Sequence, residues 1–402
     1  MNHFGLRSSF QWLGWASVGA FALWLEPSLG QIAKYLGTWG GLVFAGLAGL
    51  GIFLAVAWLR RKTIEAAREP SWAPLIAIGL AGAAMFLVLF PIATSGLMGP
   101  GSDRLDALNV TIRALLHGRP PYDQLTFAGN PATPLPGALF LALPFYLLGA
   151  TAYQNLAWLA IVVWLSPAMA GGRRAAAVYL LIFLLACPGA LQDFVTGGDY
   201  LINAIYVAVS VHLLLEIRAD WPRVYRLLAY LFFTVCLSSR PIYAVEVPIV
   251  AAFVWQTRGA TGFLEFAVAV GAMVLAINLP FFLTDPARFP IFFRLNKLNF
   301  YPAALCPAIV IPAISLGIAS VAWLVRMSPR RVFLISALSF IPLFTPGLLF
   351  RLFTQGLVPD VLLSAGFSLP LTIFGGLWLF DTLAGSEQAP FQAERARLSV
   401  RG

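Results

Sequence analysis

The chain has 402 residues, of which 60% are hydrophobic and 11% are charged, and its net charge is +9. A soluble domain carries roughly 25% charged residues, so this composition excludes a soluble enzyme and predicts that lipid is the solvent. The positive charge lies in short segments between apolar runs, as in the cytoplasmic loops of membrane proteins. It does not form the basic, aromatic-interleaved surface that nucleic-acid binding requires.

Charge-free runs long enough to cross a bilayer recur along the chain. Four of them cover residues 39–59, 302–325, 332–350 and 361–380, and a transmembrane helix needs about 20 such residues. No small-residue cleavage site follows the first apolar run, which is therefore expected to be retained. We predict an all-α bundle of about 11–13 transmembrane spans in a single domain, 1–385, followed by a disordered cytoplasmic tail at 386–402.

The charged residues divide the segments between these runs into two classes. Segments 95–133, 193–199 and 284–301 are acidic or mixed and are expected on the outer face, whereas the basic segments are expected in the cytoplasm. The basic residues are Arg60, Arg61, Lys62 and Arg68, then Arg173 and Arg174, then Arg218, Arg223 and Arg226, then Arg258, then Arg326, Arg330 and Arg331.

The stretch 131–172 conflicts with this alternation. It is charge-free and long enough for two spans. Two crossings that start from an outer loop would place Arg173 and Arg174 outside, against the positive-inside rule. Either one of the two helices does not cross, or the preceding loop contributes a partial crossing, and the sequence leaves both alternatives open.

Residues 103–117, inside the outer segment 95–133, have the periodicity of an amphipathic helix. Asp103 or Ser102 can cap its start, and Gly118 followed by prolines ends it. We expect this helix to lie in the membrane interface with its apolar face toward the lipid. The apolar face contains Leu105, Leu108, Ile112, Leu115 and Leu116, and the polar face contains Asp103, Asp106, Arg113 and His117.

Two polar clusters interrupt the apolar sequence farther along. Residues 197–200 open a span, with Asn203 one turn later, and residues 238–241 separate two apolar stretches, with Glu246 following. Ionisable residues at membrane depth are costly and therefore indicate function. The alternative is an ion pair between Arg240 and Glu246 that only orients helices. The three cysteines form neither a CxxC motif nor a Cys/His pattern and are interpreted as small buried hydrophobic residues.

Between about residues 99 and 302 the chain carries a series of short motifs. Ser102-Asp103 is followed by GRPPYD at 118–123, TPLPG at 133–137 and LPF at 143–145. Gly-Asp at 198–199, Ser-Arg-Pro at 239–241, and LPF at 279–281 with DPARF at 285–289 complete the series. In this order the motifs resemble those of the GT-C class of membrane glycosyltransferases, and they are most similar to the polyprenol-phosphate-mannose-dependent mannosyltransferase-like family.

The resemblance implies a cell-envelope enzyme in the bacterial inner membrane, with its active face outward. Such an enzyme moves a hexose from a polyprenyl-phosphate donor to an acceptor on the outer side. Inverting transfer needs a carboxylate to take the acceptor proton and cations to hold the leaving phosphate, and no metal or other cofactor is expected. The implied catalytic residues are Asp103, as the base, and Asp106, and the implied substrate-binding residues are Arg113, His117, Tyr122, Asp199, Arg240, Arg294 and Lys297.

Structural roles are the alternative for the two acids of the amphipathic helix. Asp103 would then be its N-cap, and Asp106 a first-turn acid favoured by the helix dipole. For the whole protein, the competing functions are a transporter or flippase of a lipid-linked saccharide and a non-catalytic scaffold. Transporters often contain inverted repeats with broken spans in matching positions. No such symmetry is visible, and the long outer segment early in the chain favours the enzyme, whose partners would be the lipid-linked donor, membrane lipid and a glycan, lipid or protein acceptor.

Overall fold

The computed structural model describes residues 3–65, 70–97, 102–218, 220–291, 310–356 and 364–385. Within these ranges the chain is all-helical, as predicted, and its one extended pairing is an isolated bridge between Leu125 and Pro131. The α-helices are α1 (His3–Leu25), α2 (Leu29–Glu65), α3 (Ala73–Thr94), α4 (Arg104–Leu116), α5 (Pro136–Leu147), α6 (Gln154–Met169), α7 (Arg173–Ala186), α8 (Pro188–Val195), α9 (Tyr200–Glu216), α10 (Arg223–Leu237), α11 (Glu246–Thr284), α12 (Val310–Ser320), α13 (Pro329–Gln355) and α14 (Leu369–Ala384).

Four of the described helical segments are long and apolar enough to cross a membrane, namely Trp39–Lys62, Ala73–Thr94, Pro241–Thr284 and Gly366–Ala384. Two bent pairs, α5 with α6 and α7 with α8, raise the number to six if each pair is counted as one span. These helices are compatible with an integral membrane protein. The total of about 11–13 spans stays a prediction, and the tail at 386–402 lies outside the described residues.

Glycines in the left-handed region break two of the long helices, α2 at Gly37 (φ 62°) and α11 at Gly259 (φ 67°). Beyond the second break, the chain returns along the bundle. The side-chain amide of Asn278 donates to the Ser238 hydroxyl at 2.8 Å, close to the residue at which the segment Pro241–Thr284 begins. This segment therefore forms two antiparallel arms. The chain can reverse at Gly259 because glycine adopts a positive φ without steric cost.

Polar contacts collect in two layers at opposite ends of the helices. We call the first the basic layer, because it gathers arginines from the segments that the charge pattern predicts to be cytoplasmic. Its hydrogen bonds join Arg174 to the Lys62 carbonyl at 2.8 Å, Arg226 to Glu265 at 2.9 and 3.0 Å, and Arg330 to Asp381 at 2.9 Å.

We call the second the aspartate layer, because it contains Asp103, Asp193 and Asp199. Helix α5 begins and ends in this layer. Just before α5, the Leu135 N–H donates to the Ser239 carbonyl at 3.1 Å, and just after it, the Thr151 hydroxyl donates to Asn109 of α4 at 2.7 Å. A bend of 115° then separates α5 from α6, which leads to the basic layer. Helix α5 therefore turns back at the aspartate layer. This course is compatible with the first of the two alternatives for 131–172, and the number of crossings there stays a prediction.

Helix α5 also fixes the position of the amphipathic helix α4. Its residues Ala138, Leu139 and Ala142 are buried against Leu108 and Ile112 of α4. The described helix covers 104–116 rather than the predicted 103–117, a difference of one residue at each end. Leu108 and Ile112 thus lie on the buried face as expected from the periodicity, although this face packs on protein.

One end of the predicted apolar face does not pack. Leu116 is 51% exposed, while the small side chains of Ala107, Thr111 and Ala114 are buried in its place. The buried face is therefore rotated toward small residues, which allow α4 to lie close to the protein around it.

Candidate functional site

Asp103 and Asp106, at the N-terminal end of α4, hold the loop 124–131. Oδ2 of Asp103 accepts hydrogen bonds from the Thr126 hydroxyl and the Asn130 side-chain amide, both at 2.8 Å. Oδ2 of Asp106 accepts one from the Phe127 N–H at 2.7 Å. Asp103 occupies the N-cap position, but its side chain makes no capping hydrogen bond. Asp103 is therefore the N-cap residue by position, as considered from the sequence, but its side chain does not cap the helix. Both half-buried carboxylates face the loop instead.

Two Arg–Asp ion pairs lie next to this loop. Arg104 pairs with Asp193 of α8, and Arg240 pairs with Asp199, the residue before α9. The ring of Tyr200 contacts both guanidinium groups, with its centroid 3.7 Å from Cζ of Arg104 and 4.5 Å from Cζ of Arg240. Attraction of each cation to the ring adds to the ion pairs. We call these five residues the Arg–Asp cluster.

The turn between α8 and α9 places the two aspartates of the cluster. Gly197 has a φ of 71°, in the left-handed region. A Cβ at Gly198 would lie 2.7 Å from the carboxyl carbon of Asp193. The same carboxylate accepts the Leu201 N–H at 2.8 Å. The two glycines are therefore needed, one to reverse the chain and the other to leave room for the carboxylate.

The two arginines of the cluster differ in solvent exposure. Arg240 is 2% exposed, and its guanidinium also donates to the Thr133 hydroxyl at 3.0 Å. The Arg104 side chain keeps 21% exposure and follows Asp103 directly in the sequence. Of the two arginines, Arg104 is thus the one that a ligand can contact. The sequence analysis had instead predicted Arg240 as a substrate-binding residue.

Glu26, between α1 and α2, lies near the cluster. The segments Glu26–Ser28 and Ser364–Ser368 contact one another, and the Phe367 ring lies 5.0 Å from that of Tyr200. Burial raises the pKa of Glu26 from 4.5 to about 7, and a hydrogen bond with Ser368 offsets part of that rise. Burial therefore favours the neutral form of Glu26 relative to an exposed glutamate.

Other predicted substrate-binding residues lie away from the cluster. Arg113 and His117 are exposed at the far end of α4. They lie about 13 Å and about 20 Å along the helix from Arg104, respectively. Nδ1 of His117 lies 2.8 Å from the Arg113 carbonyl. Arg294 and Lys297 lie outside the described residues. Of the nine residues predicted from the resemblance, Asp199 and Arg240 belong to the cluster, and Asp103 and Asp106 adjoin it.

Tyr122 connects the two predicted outer segments. Its buried ring packs against Phe289, with 5.8 Å between the ring centroids, and burial raises the pKa of its hydroxyl above the usual range. Next to it, Asp123 forms an ion pair with Arg288. The end of the first segment and the start of the second therefore lie in the same layer, and Tyr122 has a packing role there.

The ion pair between Arg240 and Glu246, considered from the sequence, does not form. Arg240 has an extended backbone (φ −151°, ψ 141°) before the 3₁₀ segment Pro241–Val245, and its side chain pairs with Asp199. Glu246 is fully buried and accepts a hydrogen bond from the Ser336 hydroxyl at 2.8 Å, which links α11 to α13. The 3₁₀ segment separates the two side chains, although only six positions separate them in the sequence.

Sequence reasoning missed Arg104 and assigned no role to Asp193. Asp193 follows an apolar stretch and is 1% exposed. A single carboxylate in such a stretch is a signal for a buried partner, because an unpaired charge is costly there. The partner lies 89 positions away in the sequence, however, and no local pattern connects the two.

The described part of the chain contains no group of three or more His, Cys, Asp and Glu side chains placed to hold a metal ion. A scan against protein-family models finds no match, and neither the search of curated proteins nor that of solved structures finds a relative. Function is therefore argued from the geometry of Asp103, Asp106 and the Arg–Asp cluster.

Proposed function

We propose that this protein is an integral membrane glycosyltransferase that moves a sugar from a polyprenyl-phosphate donor to an acceptor at the aspartate layer. The observation that carries the proposal is the adjacency of Asp103 and Arg104. One is a half-buried carboxylate and the other a partly exposed guanidinium, at successive positions at the start of α4. An inverting transfer needs a proton acceptor and a phosphate-binding cation within the length of one sugar phosphate.

In this proposal, Asp103 is the base that takes the proton of the acceptor hydroxyl as that hydroxyl attacks the anomeric carbon. The bond from that carbon to the phosphate oxygen breaks, and the leaving phosphate stays with its lipid. Arg104 contacts this phosphate through guanidinium nitrogens that its ion pair with Asp193 does not use. Arg240 is a positioning residue, since it holds Asp199 and the Tyr200 ring against Arg104.

The loop 124–131 supports the role of Asp103. Thr126 and Asn130 fix the position of Oδ2, so the carboxylate is oriented before a substrate arrives. Such preorganisation lowers the barrier to proton transfer without a rearrangement during the reaction. Asp106 supports the same loop through the Phe127 N–H. We therefore assign Asp106 a positioning role, in which it supports the loop and does not itself take the proton.

Asp103→Asn is expected to lower sugar transfer from a polyprenyl-phosphate hexose by about 100-fold. The amide keeps the size of the carboxylate and one oxygen that can accept from Thr126 and Asn130, but it cannot take a proton from a hydroxyl. The measurement is transfer of radiolabelled hexose by purified protein in liposomes, beside a melting curve. The melting temperature should stay near that of the wild type.

Asp106→Asn is the matched control, because the same exchange also leaves one oxygen for the Phe127 N–H. It should reduce transfer much less than Asp103→Asn. Loss of transfer in Asp106→Asn alone would move the base to Asp106. If neither exchange alters a measurable transfer, the enzyme proposal loses its main support, and a transporter of lipid-linked saccharide becomes the better explanation.

We also propose that the aspartate layer faces outward and the basic layer faces the cytoplasm, in accordance with the positive-inside rule. Single cysteines at Gln124 and Leu148 are then expected to react with a membrane-impermeant thiol reagent from the outer side, and one at Thr63 from the cytoplasmic side. The background lacks the three native cysteines. Leu148, between α5 and α6, is 79% exposed. Labelling of Leu148→Cys from the side of Thr63→Cys would contradict the returning course of α5.

A further inference from the structure

A lateral groove runs beside the Arg–Asp cluster, between α2, α3 and α8. Its volume is about 470 Å³, and its lining is mostly apolar, with Phe44, Leu89, Ile92 and Val195 among the residues that contribute. Ile92 is 43% exposed, so the groove opens on the side of the bundle rather than into its interior. This volume lies within the usual range of small-ligand sites and accommodates part of one hydrocarbon chain.

The break in α2 forms one wall of this groove. The residues just before Gly37 line it, and Phe44 lines it from beyond the break. A straight helix would carry the residues on either side of position 37 along one axis. The positive φ of Gly37 turns the first part of α2 aside instead. A Cβ at Gly37 would meet no atom within 4 Å, so backbone conformation and not space requires glycine there.

Helix α8 separates the groove from the cluster and contributes to both. Gln192 and Thr196 line the groove, whereas Asp193 pairs with Arg104 on another side of the same helix. Ser102, directly before Asp103, also lines the groove. The groove thus borders the residues proposed to carry out the transfer.

The groove also has polar lining residues. Lys34 lines it, is exposed, and has its ammonium nitrogen 5.0 Å from the centroid of the Tyr35 ring. Gln31 of α2 and Gln192 of α8 are hydrogen-bonded to each other at 3.3 Å. An occupant that matches this lining has a long apolar chain and one anionic head that the exposed ammonium of Lys34 can contact.

We propose that the groove binds the isoprenoid chain of a polyprenyl phosphate, with Lys34 contacting the phosphate. This inference rests on the proposed function for the identity of the lipid, and it assigns that lipid a binding site. The chain enters sideways from the bilayer, and its phosphate lies at the Ser102 end. Ser102 directly precedes Asp103 and Arg104 in the sequence, and these are the two residues that the proposed transfer reaction uses.

The test is equilibrium binding of tritiated undecaprenyl phosphate to the full-length protein in phosphatidylcholine nanodiscs. Ala93→Trp fills the groove and is expected to weaken binding by about tenfold or more, since one tryptophan displaces a segment of the chain. Leu80→Trp is the matched control on the same helix, because Leu80 is 67% exposed and does not line the groove. The control should bind like the wild type.

Lys34→Gln tests the charged end of the groove and does not depend on whether the tryptophan variant folds. It is expected to weaken binding of undecaprenyl phosphate by about tenfold, which is the typical value of a charge-assisted hydrogen bond, and to leave binding of the uncharged polyprenol unchanged. Equal affinity of Lys34→Gln and wild type for the phosphate overturns the proposal. So does equal affinity of Ala93→Trp and wild type, or competition by phosphatidic acid as strong as that by undecaprenyl phosphate.

A parallel transfer assay separates this inference from the proposed function. Groove variants that bind and transfer like the wild type reject the groove and leave the glycosyltransferase proposal intact. Specific binding that Ala93→Trp abolishes, in a protein without transfer activity, confirms the groove and rejects the transferase.

Discussion

Arg240→Ala is expected to lower the free energy of unfolding by about 3–5 kcal/mol. Arg240 and Asp199 are almost fully buried and paired with one another. Removing the guanidinium leaves the Asp199 carboxylate in an apolar interior with only the Asn203 amide, at 3.2 Å, as a donor among the described residues. The loss also removes the donor to Thr133 and the contact with the Tyr200 ring. The measurement is thermal and denaturant unfolding of the purified protein in detergent.

Two further variants define the cause of this loss. Arg240→Met combined with Asp199→Leu should recover most of the lost stability, because two apolar residues of similar size leave no buried charge unpaired. Arg288→Ala is the exposed counterpart, since its side chain is 59% accessible where it pairs with Asp123. That exchange should cost about 1 kcal/mol or less. A stable Arg240→Ala protein with wild-type donor affinity would show that Arg240 neither stabilises the fold nor positions the site.

Gly137→Ala is expected to destabilise the protein by about 3 kcal/mol, near the upper end for overpacking. The added methyl group would lie 2.7 Å from the carbonyl carbon and oxygen of Ser238, and closer still to the carbonyl oxygen of Val235. These are backbone atoms, which cannot rotate away as a side chain can. The Gly137 N–H also donates to Ser238 at 2.7 Å, so moving α5 aside breaks that bond.

Gly46→Ala is the control for this exchange. Gly46 lies within α2, and a Cβ there would meet no atom within 4 Å. Its replacement should change stability by no more than about 1 kcal/mol, and in the favourable direction, because alanine is the better helix former. Similar melting temperatures for the two alanine variants would contradict the close approach of α5 to α10.

Some of the fold could be predicted from the sequence because it depends on local pattern. Apolar runs predicted helices, and the periodicity of 103–117 predicted α4 to within one residue at either end, because Gly118 and the following prolines end it. The returning course of α5 could not be predicted. A helix that turns back inside a bundle has the same apolar composition as one that crosses, and the difference depends on contacts of Leu135 and Thr151 with distant residues.

The candidate site shows the same division between local and distant information. Asp103 could be predicted as a candidate from the motif resemblance, and Asp199 because a carboxylate is rare in an apolar stretch. The partners of both residues were not predicted. Arg240 seemed close to Glu246 by sequence spacing, yet the 3₁₀ segment between them directs Arg240 toward Asp199. Arg104 could not be predicted as a site residue, because an arginine in a polar loop is common. Its contact with Asp193 is what gives it a role.

The contact of one aromatic ring with two guanidinium groups also constrains the order in which the protein assembles. The ion pairs that meet at Tyr200 join residues 89 and 41 positions apart, and at least two helices lie within each of these intervals. Contacts of such sequence separation form after the intervening chain has been placed, because the entropy of closing the loop must be overcome first. A chain whose helices are inserted but not yet packed therefore carries four unpaired charges at one end. Because the Tyr200 ring contacts both guanidinium groups, formation of one ion pair helps to position the other, and we expect the two pairs to form together.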